Sequence, residues 1–586
     1  MTMKLNKILM ASAVVFAAVA FTGCIKEVFP KESAITESQL TQSSAGMESM
    51  MKSVPASMAA HVAASYDHSD FGYHSIGLYK DHHALTMFPC ARVDRGGNPY
   101  YSRLQAPNYG FDMGTNGGYT HYIWYNYYPF IKKANDIIGA AGDDEALKTY
   151  RGLAKTFRAL FYLDLVGYYD CLPAKAPQLP SYETDLAKPE LKDLTVPIVT
   201  ENTKEENAKK NPRAKREDMF KFIFDDLTDA VACLEKFETT TPTYPELPAV
   251  YGLFARAYMW LGQFEDGIYT SIPAKDENGN DLKDEDGNIV YAYPLVLTGK
   301  AAYQKAYDYA ELAMKTANVP FMTREQYSNV TSGFNTPVAS WIWATSMSTD
   351  TVINNLLAFA AHVCPEASYG YGPLACVGVA KNTYDRLGST DIRKKLIVGE
   401  DTTYDQFRNY TSMPREEWEE LAYRAPYTNF KFRPGQGERV DYMVANAVSL
   451  PIMRIEEMEF IAIEALTHLG KAGEAAQRLV DWTVANRADV YIFNETDEEK
   501  VREEVIFQKS VEFWGEGVIL FDMKRLDMGV HTTDQNYQSG MLFNTEGRLP
   551  WWNLPIPSGE TAVNTVTKNQ VAPDPSYGVE SEDAAI

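Results

Sequence analysis

Residues 455–483 decide the fold: Ile455-Glu456-Glu457-Met458 leads to Glu464-Ala465-Leu466-Thr467-His468-Leu469-Gly470, and Glu474-Ala475-Ala476 follows. Ile455, Met458, Ala462, Leu466 and Leu469 recur at helical spacing and mark one apolar face. Gly470 interrupts the pattern, and Ala472, Ala476, Leu479 and Thr483 restart it. The result is a helix, a Leu-Gly turn and a second helix whose small residues let two backbones approach closely. That is the physical content of a tetratricopeptide unit.

The same arrangement recurs upstream, split in two. Ala255-Arg256-Ala257-Tyr258 with Leu261-Gly262 supplies a first half, and the second half appears only at Tyr303 to Ala317, before Pro320. The intervening excursion carries Asp276-Glu277-Asn278-Gly279 and Asp284-Glu285-Asp286-Gly287-Asn288, then Ile289-Val290-Tyr291-Ala292-Tyr293. Its alternating acids resemble a calcium loop, but the glycine comes too early and no closing glutamate follows, so hairpin turns and a strand are expected. Further helical stripes run through Tyr127, Phe130, Ile131, Ala134 and Ile138, and through Leu153, Phe157, Leu160, Phe161 and Tyr168. Another comprises Phe220, Ile223, Phe224, Leu227, Val231 and Leu234, with Glu217 and Asp218 in the first turn, where the helix dipole favours anions. Val250, Leu253, Ala257, Tyr258 and Leu261 form one more. The helical aromatics Trp260, Trp482 and Trp514 are expected in the core, while Trp124 opens a helix beside a loop region. The expected fold is mainly α, with tetratricopeptide-like helix pairs supporting long irregular loops and short hairpins. Residues 66–122 and 325–450 lack helical period and mix aromatic, Gly, Pro, Asn and His residues. Long irregular segments on a rigid scaffold commonly carry binding function.

The 586 residues exceed what one core usually supports, and 45% hydrophobic with 23% charged residues is a globular balance, not a disordered one. A formal charge of −23 repels polyanions, and no basic run longer than Arg393-Lys394-Lys395 occurs, so nucleic-acid binding is excluded. The 37 tyrosines outnumber the 27 phenylalanines, which favours wet recognition surfaces. At the N-terminus, Lys4 and Lys7 precede the apolar stretch Ile8 to Ala20 and then Phe21-Thr22-Gly23-Cys24. The stretch is shorter than the roughly 20 residues a spanning helix needs, and it has the form of a secretory signal. Five cysteines remain beyond Cys24: Cys90, Cys171, Cys233, Cys364 and Cys376. Their spacing matches no zinc framework; one disulfide, such as Cys364 with Cys376, is left open, and buried thiols are expected for the rest.

Several motifs together resemble the SusD/RagB family of surface nutrient-binding lipoproteins. They are Pro451-Ile452-Met453-Arg454-Ile455-Glu456-Glu457-Met458, Asn486-Arg487-Ala488, Glu512-x-x-x-Glu516-Gly517, Asp522-Met523-Lys524-Arg525 and Leu554-Pro555-Ile556-Pro557. Upstream, Trp124-x-x-x-Tyr128 with Ala134-Asn135, the run Arg158 to Val166, and Thr383-Tyr384-Asp385 with Asp391-Ile392-Arg393-Lys394 are similar to that family as well. One departure is Ile519, which stands where many relatives carry an arginine; this loosens an expected structural ion pair. Cleavage before Cys24 resembles a bacterial lipoprotein signal. On that resemblance, residues 1–23 form the signal peptide, Cys24 is lipidated and 24–46 tether the body. Residues 47–325 then form an N-terminal helical region with ligand loops, and 326–586 the C-terminal SusD/RagB region. The resemblance implies an outer-membrane, lipid-anchored protein on the extracellular face. It would capture glycan without catalysis or cofactor and deliver it to a SusC-like TonB-dependent transporter. Peptide capture by the same architecture is the first alternative; a surface glycoside hydrolase and a pure scaffold are others.

A pyranose ring stacks its apolar face on Trp or Tyr, while its hydroxyls take Asn, Asp or Arg in place of water. On that chemistry the expected ligand-binding residues are Asp81, Arg92, Asp94, Tyr100, Tyr101 and Asn116 from the first irregular stretch, and Trp341, Trp343, Tyr369 and Tyr371 from the second. The spacing of Trp341 and Trp343 also fits one inward face of a strand. His61, His68, His74, His82 and His83 crowd together beside Asp67, Asp70 and Asp81, and are read as surface and interhelix histidines, not metal ligands. No His-Glu-x-x-His, Gly-x-Ser-x-Gly or phosphate-cradling glycine loop occurs.

Overall fold

The structure is a computed structural model. It describes residues 44–59, 62–64, 68–70, 72–89, 113–174, 191–270, 276, 280–283, 287, 290, 296–352, 358–370, 372–373, 376–537, 542–568 and 570–571. The chain divides into two units, Met1–Ser49 and Met50–Ile586. The described part of the first is the opening of helix α1 (Ser44–Ala59); every other described element belongs to the second. The expected signal, Cys24 and most of the tether lie outside the described residues.

The second unit is mainly helical: α2 (Gly72–His83), α3 (Gly118–Ala141), α4 (Lys148–Tyr169), α5 (Arg216–Leu234), α6 (Leu247–Gly262), α7 (Lys300–Ala317), α8 (Lys381–Arg386), α9 (Arg415–Arg424), α10 (Ile455–His468), α11 (Ala472–Asn486), α12 (Glu498–Glu512) and α13 (Ile519–Arg525), with shorter helical turns between them. Neighbours pack in succession: α3 on α4, α4 on α5, α5 on α6, α6 on α7, α7 on α10, and α10 on both α11 and α12. The described strands make four antiparallel pairs. These are β1 (Val62–Ala64) with β2 (His68–Asp70), β3 (Phe88–Pro89) with β7 (Val377–Gly378), β4 (Gly267–Thr270) with β5 (Val296–Thr298), and β6 (Trp341–Ser346) with β8 (Ser449–Arg454).

The apolar stripes read from the sequence are the buried faces of α3, α4, α5 and α6; Val231 of α5 alone among them is half-buried. The split helix pair is real. At the end of α6, a Cβ on Gly262 would stand 2.6 Å from the Tyr303 ring of α7, so the absence of a side chain is what lets the two helices close. The excursion between them is clasped where Gly267 pairs with Thr298 and Ile268 with Leu297. Within it the Asp276 carboxylate accepts from the Asn280 amide at 2.9 Å, and Val290 donates to the Leu282 carbonyl at 2.8 Å, as in hairpin turns.

α10 departs from the one-sided pattern. It is buried from Ile455 to Thr467, acids included. Each acid is offset by an arginine from another element: Arg256 on Glu457 and Arg478 on Glu459 at 2.6 Å, Arg525 on Glu464 at 2.5 Å, and Arg454 on Glu456 at 3.2 Å. Apolar periodicity is blind to such pairs, because an acid reads as solvent-facing until its partner is located.

Residues 325–450 are more regular than expected. β6 and α9 lie there, and Cys376, Val398, Phe407, Met413, Trp418, Leu421, Ala425 and Phe430 form a core of their own. Cys171, Cys233, Cys364 and Cys376 are free thiols, so the bridge left open between Cys364 and Cys376 is not made. Trp260, Trp482 and Trp514 are buried as expected, and Trp124 is buried with them, edge-on to Tyr169 at 5.3 Å.

Candidate ligand-binding site

Three of the C-terminal motifs meet in one buried ionic cluster, through Arg454, Arg487, Glu512 and Glu516. The Arg487 guanidinium donates twice to the Glu512 carboxylate, at 2.8 and 2.7 Å, and Arg454 reaches the same group at 3.2 Å. Arg454 also donates to Glu516 at 2.8 and 2.9 Å. The Lys431 ammonium sits 2.5 Å from Glu516 and takes the Glu512 and Trp514 carbonyls at 2.8 Å. Arg393, paired with Asp391 at 2.7 Å, approaches Glu512 at 3.7 Å. Buried Ile519 contributes no charge here; Arg454 and Lys431 are the cations on Glu516, so this acid is paired without a cation at position 519.

These arginines hold the Glu512 carboxyl down at about 2 against the cost of its burial. Its folded value therefore lies below its ordinary 4.5, so its contribution is complete above 4.5 and is lost as pH falls toward 2. On the order of 3 kcal/mol rides on this one group. Melting temperature followed from neutral pH downward is expected to fall steeply across that window, and an unchanged melt at its acid end would contradict it.

Outside this frame lie two depressions separated by α8. A cleft of about 560 Å³ takes Asn382, Thr383 and Arg386 from α8, and Glu503 and Phe507 from α12. A shallower hollow of about 470 Å³ takes Lys381, Tyr384 and Asp385 from α8, with Lys394, Glu400, Asp401, Tyr410 and Tyr427. Tyr384 meets Tyr427 edge to face with centroids 5.5 Å apart, and the Lys394 ammonium lies 4.3 Å from the Tyr384 ring. Lys394 is anchored by the Leu387 carbonyl at 2.8 Å, and burial lowers its pKa. Gly399 makes room: a Cβ there would stand 2.5 Å from the Tyr384 hydroxyl. Half-buried Tyr384 and Tyr410, backed by buried Tyr427, stand beside exposed carboxylates. Aromatic faces beside carboxylates are a mixture that can bind a pyranose ring by its face and its hydroxyls.

None of the nominated residues that are described lines either depression. Trp341 and Trp343 must be corrected: they sit on β6 with their rings inward, Trp343 fully buried, 4.9 Å from Phe157 and donating to the Thr243 carbonyl at 3.2 Å. The alternating spacing belongs to the inward strand face. Asp81 is also interior. Its carboxylate accepts from the Gly517 amide at 2.8 Å, tying α2 to the turn after α12, and burial lifts its pKa to about 7. Asn116 is exposed but accepts from the Ser558 hydroxyl at 2.5 Å. Tyr369 is half-buried and donates to Asn446 at 2.9 Å. Arg92, Asp94, Tyr100, Tyr101 and Tyr371 lie outside the described residues. Thr383-Tyr384-Asp385 stands out in the sequence as a family motif, yet nothing in it announces a site. Tyr410 and Tyr427 escape sequence reasoning altogether, their one signal being a tyrosine-rich run with charges interleaved.

His74 and His82 are buried between elements, and desolvation lowers them to about 3 and about 4, so both are neutral at physiological pH. Among the described residues no group of three or more His, Cys, Asp or Glu could hold a metal ion, and no helix is long and apolar enough to cross a membrane.

Residues 366–570, which contain α8 and most of the ionic cluster's partners, match the model of the SusD family. The fold is that of solved SusD-like proteins. A SusD-like carbohydrate binding protein from Bacteroides vulgatus aligns with a TM-score of 0.61 at 18% identity, over 89% of this chain and 96% of its own. A SusD superfamily protein from Bacteroides thetaiotaomicron gives 0.60 at 16% identity, over 89% and 98%. A SusD-like carbohydrate binding protein from Bacteroides fragilis gives 0.58 at 14% identity, over 90% and 99%. No curated protein matches the chain. The chain thus carries a SusD-family region at residues 366–570 within a mainly α, SusD-like fold.

Proposed function

We propose that this chain is a lipid-anchored protein of the outer cell surface, which captures oligo- or polysaccharide without catalysis and passes it to a TonB-dependent outer-membrane transporter. The family match and the carbohydrate-binding relatives support the class. The observation that carries the reading is the hollow at α8, where Tyr384, Tyr410 and Tyr427 converge with Asp385, Glu400 and Asp401. Tyrosine faces replace the water on a sugar's apolar side, and the carboxylates accept from its hydroxyls.

Affinity electrophoresis of the intact protein against glucans, mannans, xylans and polygalacturonate tests it. Retardation by at least one polymer is expected, with no reducing ends released on prolonged incubation. Tyr384→Ala is expected to weaken that binding about tenfold, in line with the loss of one stacking ring. Unchanged mobility on every polymer, or accumulation of cleaved sugar, overturns the reading. Loss of membrane association in Cys24→Ser, and co-purification with a transporter barrel, are the corresponding tests of anchor and delivery.

A further inference from the structure

The two depressions are not independent pits. Ile397 lines both, and α8 is the wall between them: Lys381, Tyr384 and Asp385 face the hollow, Asn382, Thr383 and Arg386 the cleft. The top of that wall is open, since the side chains of Lys381, Asp385 and Arg386 are 46%, 53% and 48% exposed. A helix with its side chains is about 10 Å wide, so an extended chain longer than that can lie across it with one part in each depression.

The charges on the ridge are already matched within the protein. Lys381 pairs with Asp385, and Arg386 is held by Glu504 at 2.6 Å and lies flat on the Phe507 ring at 3.5 Å. Lys394, below them, is committed to the Leu387 carbonyl. Exposed carboxylates, by contrast, stand on both sides: Glu400 and Asp401 in the hollow, Glu499 and Glu503 in the cleft. Lys395 in the hollow and Arg502 in the cleft add positive charge, but the lining carboxylates, with Asp385, Asp527 and Glu546 among them, are not outnumbered by the lining cations, so an anionic chain meets no net positive field there.

We infer that the site takes an extended, uncharged polysaccharide laid across α8, gripped in the hollow and in the cleft at once. This rests on the glycan-binding reading and adds to it the length and charge of the ligand. Two linked contacts act as one, because the second forms at the high local concentration set by the first, so affinity rises once the chain is long enough to reach both.

The test uses the full-length mature protein and size ladders of oligosaccharides cut from a neutral polymer that retards it in electrophoresis, with calorimetry as the readout. Affinity is expected to climb about a hundredfold between the shortest and the longest oligosaccharides. The cleft variant Asn382→Ala/Thr383→Ala, both positions lying at or near the surface, is expected to abolish that climb while leaving the shortest oligosaccharides bound as before. Tyr384→Ala is expected to weaken binding at every length. Melting curves confirm that each variant is folded. Affinity that is flat with length, or a climb that survives in the cleft variant, overturns the spanning site. Polygalacturonate binding as tightly as the neutral polymer overturns the charge assignment. Binding to no polymer at all instead overturns the glycan reading itself, so the two failures are told apart.

Discussion

Replacing Glu512 by alanine is expected to cost about 3–5 kcal/mol of stability, enough to leave much of the protein unfolded at growth temperature. The reason is the company it keeps. Removal of its carboxylate strands Arg487, which donates to it twice, and takes an acceptor from Arg454, both with fully buried side chains. A buried cation without its counter-ion bears its whole desolvation penalty, and that penalty exceeds anything the lost carboxylate itself supplied. Glu512→Gln keeps the shape and two hydrogen-bonding atoms but no charge, so it separates charge from packing; it is expected to fall between parent and alanine variant. Urea titration measures all three. Equal midpoints would mean that the cluster adds nothing to stability.

Trp343→Ala is the second large effect, about 3–5 kcal/mol, because a fully buried ring leaves a cavity that the surroundings refill only in part. The functional outcome is the sharper part. The ring packs on Phe157 of α4 and hydrogen-bonds the Thr243 carbonyl, so the folded fraction of the variant is expected to bind glycan with parental affinity. A variant that melts like the parent yet loses binding would return this tryptophan to the ligand surface.

The helical frame is legible in the sequence because its signal is local. Phe220, Ile223, Phe224 and Leu227 announce a buried face whatever surrounds them. Gly262 and Gly470 mark the pair turns for equally local reasons. The candidate site is not legible, and the cause is geometric. Tyr384, Tyr410 and Tyr427 come from three separate segments, and only the fold carries them together. The β6 tryptophans mislead for the opposite reason. An aromatic pair in a stretch without helical period satisfies the composition of a sugar platform, but the direction of its rings depends on β8, about a hundred residues later in sequence. The acids of α10 show the same limit: Glu456 and Glu464 look like surface residues until Arg454 and Arg525 are seen to cover them.

The clasp of β4 on β5 has an architectural consequence. With Gly267 held against Thr298, the stem of the α6–α7 excursion is closed whatever its tip contains. Lengthening a loop whose ends are already pinned is cheap, about 0.6 kcal/mol for each doubling. The α6–α7 helix pair can therefore host inserts of varied size at this position without retuning the joints on either side, which makes it the natural port for grafting a tag or a foreign binding module.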